Sequence, residues 1–202
     1  MAKGQAERLM PMIEEMLADE GVSWSDLDVI AVGIGPGNFT GIRISVAAAR
    51  GLALALGTPA IGVTSFEIMR GRNSFRDKHP ALVSVSAPRN GLYLQEFTEG
   101  QASAPAQFVK LWSSEIRLRT PPITDVIGYE AGEICHYLSQ TGQCADSPTG
   151  YQAELHDIGP TVARIAMDKW QNGGESENRP APLYIRPADA APPREAPPVI
   201  LP

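Results

Sequence analysis

The sequence predicts an α/β fold with a parallel sheet, and three features in the first third of the chain carry that prediction. Val29–Ile34 is an unbroken apolar run rich in β-branched residues. Gly35-Pro36-Gly37-Asn38-Phe39-Thr40-Gly41 is a turn dense in breakers, with Thr40 placed to cap the helix after it. Residues 42–56 then stay small and apolar until Gly57-Thr58-Pro59 stops them, and Ala60-Ile61-Gly62-Val63 reads as a returning strand. Strand, turn, helix and strand in that order form a β-loop-α-β unit, whose strands pair in parallel across a right-handed crossover.

Before this unit, residues 5–20 read as an amphipathic helix. Leu9, Met12, Ile13, Met16 and Leu17 follow the three-four spacing, with Glu14, Glu15, Asp19 and Glu20 on the other side. Pro11 removes one donor inside that pattern and is expected to kink or restart the helix, and Gly21 to end it. The helix at 40–56 differs in kind. Ile42, Val46, Ala49, Ala53 and Leu56 form one apolar stripe; Ile44, Ala48, Gly51 and Ala55 form another, roughly opposite. Such a helix must be covered on more than one side. One side can lie on the sheet, and the other needs a helix, supplied by residues 5–20 or by another subunit.

From Ser65 to Lys78 the pattern turns polar, with Gly71-Arg72-Asn73-Ser74 as breakers, and a lobe boundary is expected there. Ala81–Ala87 and Gly91–Thr98 are expected strands, joined by Pro88-Arg89-Asn90-Gly91, whose Asn-Gly step is the strongest hairpin signal. Ile123–Gly128 reads as a strand feeding a helix at 130–138, and 159–170 as a helix opened by Gly159-Pro160. Residues 171–180 read as a polar loop, and a Pro- and Ala-rich tail starts at Pro187. The expected organisation is a first lobe at 1–70, a second at 78–186, and the tail at 187–202.

Bulk properties narrow the function. The chain has 202 residues and a formal charge of −6, which opposes independent binding to nucleic acid. No run of consecutive apolar residues reaches the ~18 needed to span a bilayer. The N-terminus lacks a basic-apolar-small leader pattern, so the expected location is the cytoplasm, with no membrane partner. Cys135 and Cys144 are expected to be free thiols.

The glycine-rich turn could cradle an anion at a helix start. It has no Gly-Lys-Ser/Thr, and its glycine spacing is wrong for a dinucleotide fingerprint. His79, His136 and His156 are scattered without a pair at helical spacing, and no Gly-x-Ser-x-Gly occurs. No catalytic or metal-ligating residues are therefore expected.

Gly33-Ile34-Gly35-Pro36-Gly37-Asn38-Phe39-Thr40-Gly41-Ile42-Arg43, continuing through Ala49-Arg50-Gly51-Leu52-Ala53-Leu54-Ala55-Leu56-Gly57, resembles the TsaB (YeaZ) family. That family carries Gly-Pro-Gly-Ser-Phe-Thr-Gly-hydrophobic-Arg at this junction; Asn38 stands here in place of the Ser. Gln5–Ile13 resembles the family's preceding helix, internal proline included, and Pro182-Leu183-Tyr184-Ile185-Arg186 its closing Tyr-Leu-Arg. The motif loop comprises Gly35, Pro36, Gly37, Phe39, Thr40, Gly41 and Arg43.

The resemblance implies an actin-like ATPase-domain fold (sugar kinase/Hsp70/actin-type) in two lobes. It also implies a non-catalytic role in making threonylcarbamoyladenosine beside the tRNA anticodon. Such proteins bind the catalytic paralogue TsaD through their first two helices, and the ATPase TsaE joins them. ATP and a metal are thus expected in partner subunits, and tRNA only through the complex. The expected partner-binding residues are Leu9, Met12, Ile13 and Met16 on the first helix. On the second they are Arg43, Ala47, Ala48, Arg50, Gly51 and Leu54, facing a paralogue or a second copy. The alternative is a glycoprotease-like hydrolase or small-molecule kinase of the same fold.

Three departures bear on this. Family members begin with strands holding an Asp-Thr-Ser turn, whereas this chain starts at the helix, so the first lobe is expected to be N-terminally truncated and Met1 internal to a longer reading frame. The family's Asp-Ala-Arg-Arg hairpin reads Ser86-Ala87-Pro88-Arg89, and its Glu two residues before the hairpin Tyr is Gly91, ahead of Tyr93. Both remove acids from any nucleotide site.

Overall fold

A computed structural model describes residues 4–71, 79–110, 116–119, 122–155, 158–173 and 179–185. Its elements are α1 (Gln5–Asp19), β1 (Ile30–Gly35), α2 (Phe39–Leu56), β2 (Ala60–Thr64) and α3 (Ser65–Arg70), then β3 (Ala81–Ala87), β4 (Gly91–Thr98), β5 (Gln101–Ala102) and β6 (Gln107–Lys110). β7 (Ile123–Gly128), α4 (Ala131–Thr141), β8 (Cys144–Gln152) and α5 (Ile158–Gln171) complete the set. Arg72, Asn73, Ser74, His156, Arg186 and the tail from Pro187 lie outside the described residues.

The α/β prediction holds. β1 and β2 pair in parallel, Ile30 opposite Ala60 through Gly33 opposite Val63, as a two-stranded sheet. The second sheet has six strands in the order β5-β4-β3-β7-β8, with β6 also on β4. β3 and β4 run antiparallel, whereas β3, β7 and β8 run parallel, so this sheet is mixed.

Period-two alternation divides β3 between two cores. Leu82 faces α4, with Leu94, Ile123, Val126, Ile134 and Leu138. Val83 and Val85 face the opposite side, where Phe66 of α3 and Phe97 pack with them. The first sheet is covered by α2, whose Val46 and Ala49 pack on Val32, and by α5, whose Val162, Ile165 and Ala166 pack on Ile61 and Val63.

No apolar stripe marks α3 in the sequence, because Phe66 and Ile68 of Ser65–Arg70 face different cores. Thr64 and Glu67 form a capping box there: Thr64 Oγ accepts from the Glu67 amide at 3.1 Å, and Glu67 Oε2 accepts from the Thr64 amide at 2.7 Å. This helix of six residues buries Phe66 fully and Ile68 almost fully, each in a different core. β8, β5 and β6 were missed as well, because Pro148, Gly150 and the short spans break the strand pattern.

Other boundaries need correction. α1 runs uninterrupted through Pro11, so no restart occurs there; Gly21, at φ 64°, ends it with the Val22 amide donating to the Leu17 carbonyl at 2.9 Å. At the hairpin, the left-handed residues are Arg89 (φ 59°) and Asn90 (φ 55°), not the Asn-Gly pair. Gly91 instead opens β4, where an added Cβ would run into the Phe108 ring. By length and composition α2, with mean hydropathy 1.4, is long and apolar enough to cross a bilayer; Arg43 and Arg50 interrupt its run of consecutive apolar residues.

Replacing Phe66 with Ala is expected to cost about 3–5 kcal/mol, as for a large side chain lost from a filled core, read as a lower urea midpoint. Burial, followed by the charges of Cys144 and Asp125, pushes the Cys135 thiol up. A maleimide at neutral pH should therefore label the half-exposed Cys144 first, and Cys135 only after denaturation, as seen by peptide mass.

Candidate interaction surface

The turn between β1 and α2 is closed by packing. Gly35 sits at φ 89°, where any other side chain is strained, and a Cβ there would lie 2.6 Å from Ile42 Cδ1, so glycine is strongly favoured. Pro36 is buried and its carbonyl accepts from Ser65 Oγ at 2.7 Å, which ties the turn to α3. Gly37 is exposed. Thr40 is not the cap. Asn38 holds the extended conformation of an N-cap, its Oδ1 accepts from the Gly41 amide at 3.0 Å, and Thr40 lies inside the first turn.

From this anchor α2 divides into two sides. Val46 and Ala49 are buried on β1, with Ile42 beside them. Phe39, Thr40, Arg43, Ala47, Arg50, Gly51, Leu54 and Ala55 are exposed, and Leu54 is 80% so. The second stripe is only partly covered in this chain: Ile44 and Ala48 are half-buried, while Gly51 and Ala55 are open.

α1 adds a second open element. Among the described residues none of its side chains is buried, and none joins a core cluster. Leu9 and Ile13 are half-buried, whereas Met12 and Met16 are more than half exposed, at 53% and 58%. An amphipathic helix whose apolar stripe is left partly in water, at Met12 and Met16, has an unmet reason to bury it. At the far end of α2, a hollow of about 360 Å³ lies between Arg50, Gly51, Leu54, Thr58 and the segment Arg179–Pro180. Among the described residues Thr58 Oγ has no hydrogen-bond partner.

The sequence did not anticipate how Arg43 and Tyr184 meet. Arg43 Nε donates to the Tyr184 hydroxyl at 2.8 Å across 141 positions of chain, and its guanidinium carbon lies 3.7 Å from the Phe39 ring centre. The Phe39 and Tyr184 rings are 5.6 Å apart. Both motifs were visible separately; their contact was not.

Comparison with known proteins places this geometry. The profile of the family described as "TsaD: tRNA N6-adenosine threonylcarbamoyltransferase" matches residues 1–114, more than half of the chain, and the chain belongs to that family. Within it, the relatives set the chain in the TsaB (YeaZ) group. It is 43% identical over 92 residues to the tRNA threonylcarbamoyladenosine biosynthesis protein TsaB of Escherichia coli, covering 45% of this chain and 40% of that protein. An uncharacterized protein of Mycobacterium tuberculosis is 37% identical over 99 residues, covering 49% and 45%. The chain thus spans less than half the length of these curated relatives.

A crystal structure from Pseudomonas aeruginosa, described as an uncharacterized protein with similarity to peptidase YEAZ, superposes at a TM-score of 0.59 with 25% identity, covering 90% of this chain and 84% of that one. The fold is of the actin-like ATPase family.

Asn38→Ala is expected to destabilise the chain by about 0.5–2 kcal/mol and Asn38→Ser by much less, because serine caps a helix as well as asparagine does. Thermal unfolding monitored by circular dichroism would measure the difference.

Proposed function

We propose that the chain is a scaffold subunit in tRNA threonylcarbamoyladenosine biosynthesis, acting by docking a TsaD-like catalytic paralogue on α1 and α2. The observation that carries this reading is the pair of uncovered apolar helix faces, with Met12 and Met16 on one and Gly51 and Leu54 on the other. The names of the TsaB relatives support the pathway. A TsaD-type relative from Erythrobacter litoralis, 41% identical over 66 residues, supports kinship between this chain and the partner proposed for it.

Docking follows from ordinary helix physics. Ala47, Ala48 and Gly51 let a partner helix approach closely, and Leu54 offers a large apolar side chain to a pocket. The hollow beside Arg50 takes a partner side chain in return. Arg43 and Arg50 bring positive charge to a chain that is acidic as a whole, so acidic groups are the expected counterparts. In this reading ATP and metal belong to partner subunits, a TsaE-like ATPase joins the pair, tRNA is reached through the complex, and the site of action is the cytoplasm. A second copy of the chain competes for the same faces.

Ala47→Trp tests the placement, because Ala47 is exposed and a bulky ring there blocks close approach without filling the core. The variant is expected to keep its melting temperature within a few degrees and to lose co-elution with the TsaD-type protein in gel filtration. Co-elution at the wild-type level would rule this face out.

A further inference from the structure

The segment 179–185 crosses the molecule as a strap. Its Leu183 amide donates to the Ile34 carbonyl of β1 at 2.8 Å, and Pro180 is buried, its ring carbon 3.4 Å from where a Cβ on Gly62 of β2 would lie. Leu183 and Ile185 pack against Phe66, Val83, Val85 and Phe97, the core of the second sheet. Tyr184, between them, alternates to the opposite side and reaches α2. The strap is therefore held by both sheets, and one side chain of it remains at the surface, 52% exposed.

We infer that Tyr184 is the positioning residue that aims Arg43 at a carboxylate of the docking partner, an inference that rests on reading α2 as a docking face. Arg43 spends its Nε–H on the Tyr184 hydroxyl, and its plane lies against Phe39. A long exposed arginine ordinarily samples many rotamers and loses that freedom on binding. Here the hydrogen bond and the ring contact restrict it beforehand. The two Nη groups make no hydrogen bond or ion pair among the described residues, and together they form the planar fork that suits a carboxylate. The strap thus couples the packing of the second sheet to the direction of one cation on the first.

Hydrogen exchange on the full chain reads the clamp without a partner. Tyr184→Ala is expected to speed exchange several-fold in the first turns of α2, over residues 40–46, and to leave β3 and β7 unchanged. Tyr184→Phe retains the ring and loses the hydroxyl, so it should show a smaller rise.

Titration with the TsaD-type protein reads the positioning. Tyr184→Phe is expected to weaken Kd by several-fold, Arg43→Lys by about tenfold, and the double variant no further than Arg43→Lys alone. Multiplying effects in the double variant, or a wild-type Kd for Tyr184→Phe, would overturn the positioning role alone. Absence of binding by the wild-type chain would remove the docking reading and this role together. Unchanged exchange in Tyr184→Ala would remove the clamp itself, whatever the titration gives.

Discussion

The structure depends on one short helix having to serve two cores. α3 is too short to be stable alone, and it exists because a capping box starts it and both of its sides are used. Phe66 enters the core beneath the second sheet, and Ile68 enters the core between β2 and α5. Glu67, between them, takes the Thr64 amide and pairs with Lys169 of α5 at 2.8 Å. Both members of that pair retain a quarter to a third of their exposure, so its contribution is screened and small beside the buried rings. What α3 contributes is placement: it fixes where the turn before α2 can lie, through Ser65 and the Pro36 carbonyl.

The open faces of α1 and α2 then result from how the other helices are already used. α5 is committed to β2, and α4 to the second sheet. Apart from α1, which joins no core cluster, no described helix remains to cover the outer side of α2, even though that side carries Leu54 and a small-residue stripe. Burying a leucine or methionine yields roughly 1.5–3 kcal/mol, so α1 and α2 together hold enough unburied apolar surface to drive association. In the proposed docking, the acidic side of α1 and the arginines of α2 would add direction more than strength.

The first βαβ unit was legible in the sequence because its signals are local. β-branched runs, a glycine-rich turn and a terminal glycine each state their own structure, and they agree. The identity of the cap was less legible, since Asn38 and Thr40 are both good caps and only the backbone at Asn38 decides between them. α3 escaped because its apolar residues face opposite ways, which leaves no stripe to see. At the hairpin, Gly91 gave a turn signal but is needed for its missing side chain, which makes room for Phe108. The Arg43–Tyr184 contact was beyond any local reading, because nothing near either residue names the other.

The long reach of that contact also bears on how the chain is made. The Lys169 ammonium donates to the Gly62 carbonyl across 107 positions, and Tyr184 holds Arg43 across 141. The first sheet is thus completed by residues that lie more than a hundred positions further along the chain. A nascent chain that has emerged only as far as β4 would hold β1, α2 and β2 without α5 or the strap, with Val63 and Ile61 uncovered. Such topologies fold slowly and expose apolar strands while they wait. Synthesis of this protein therefore has its most vulnerable interval between the emergence of β2 and that of α5.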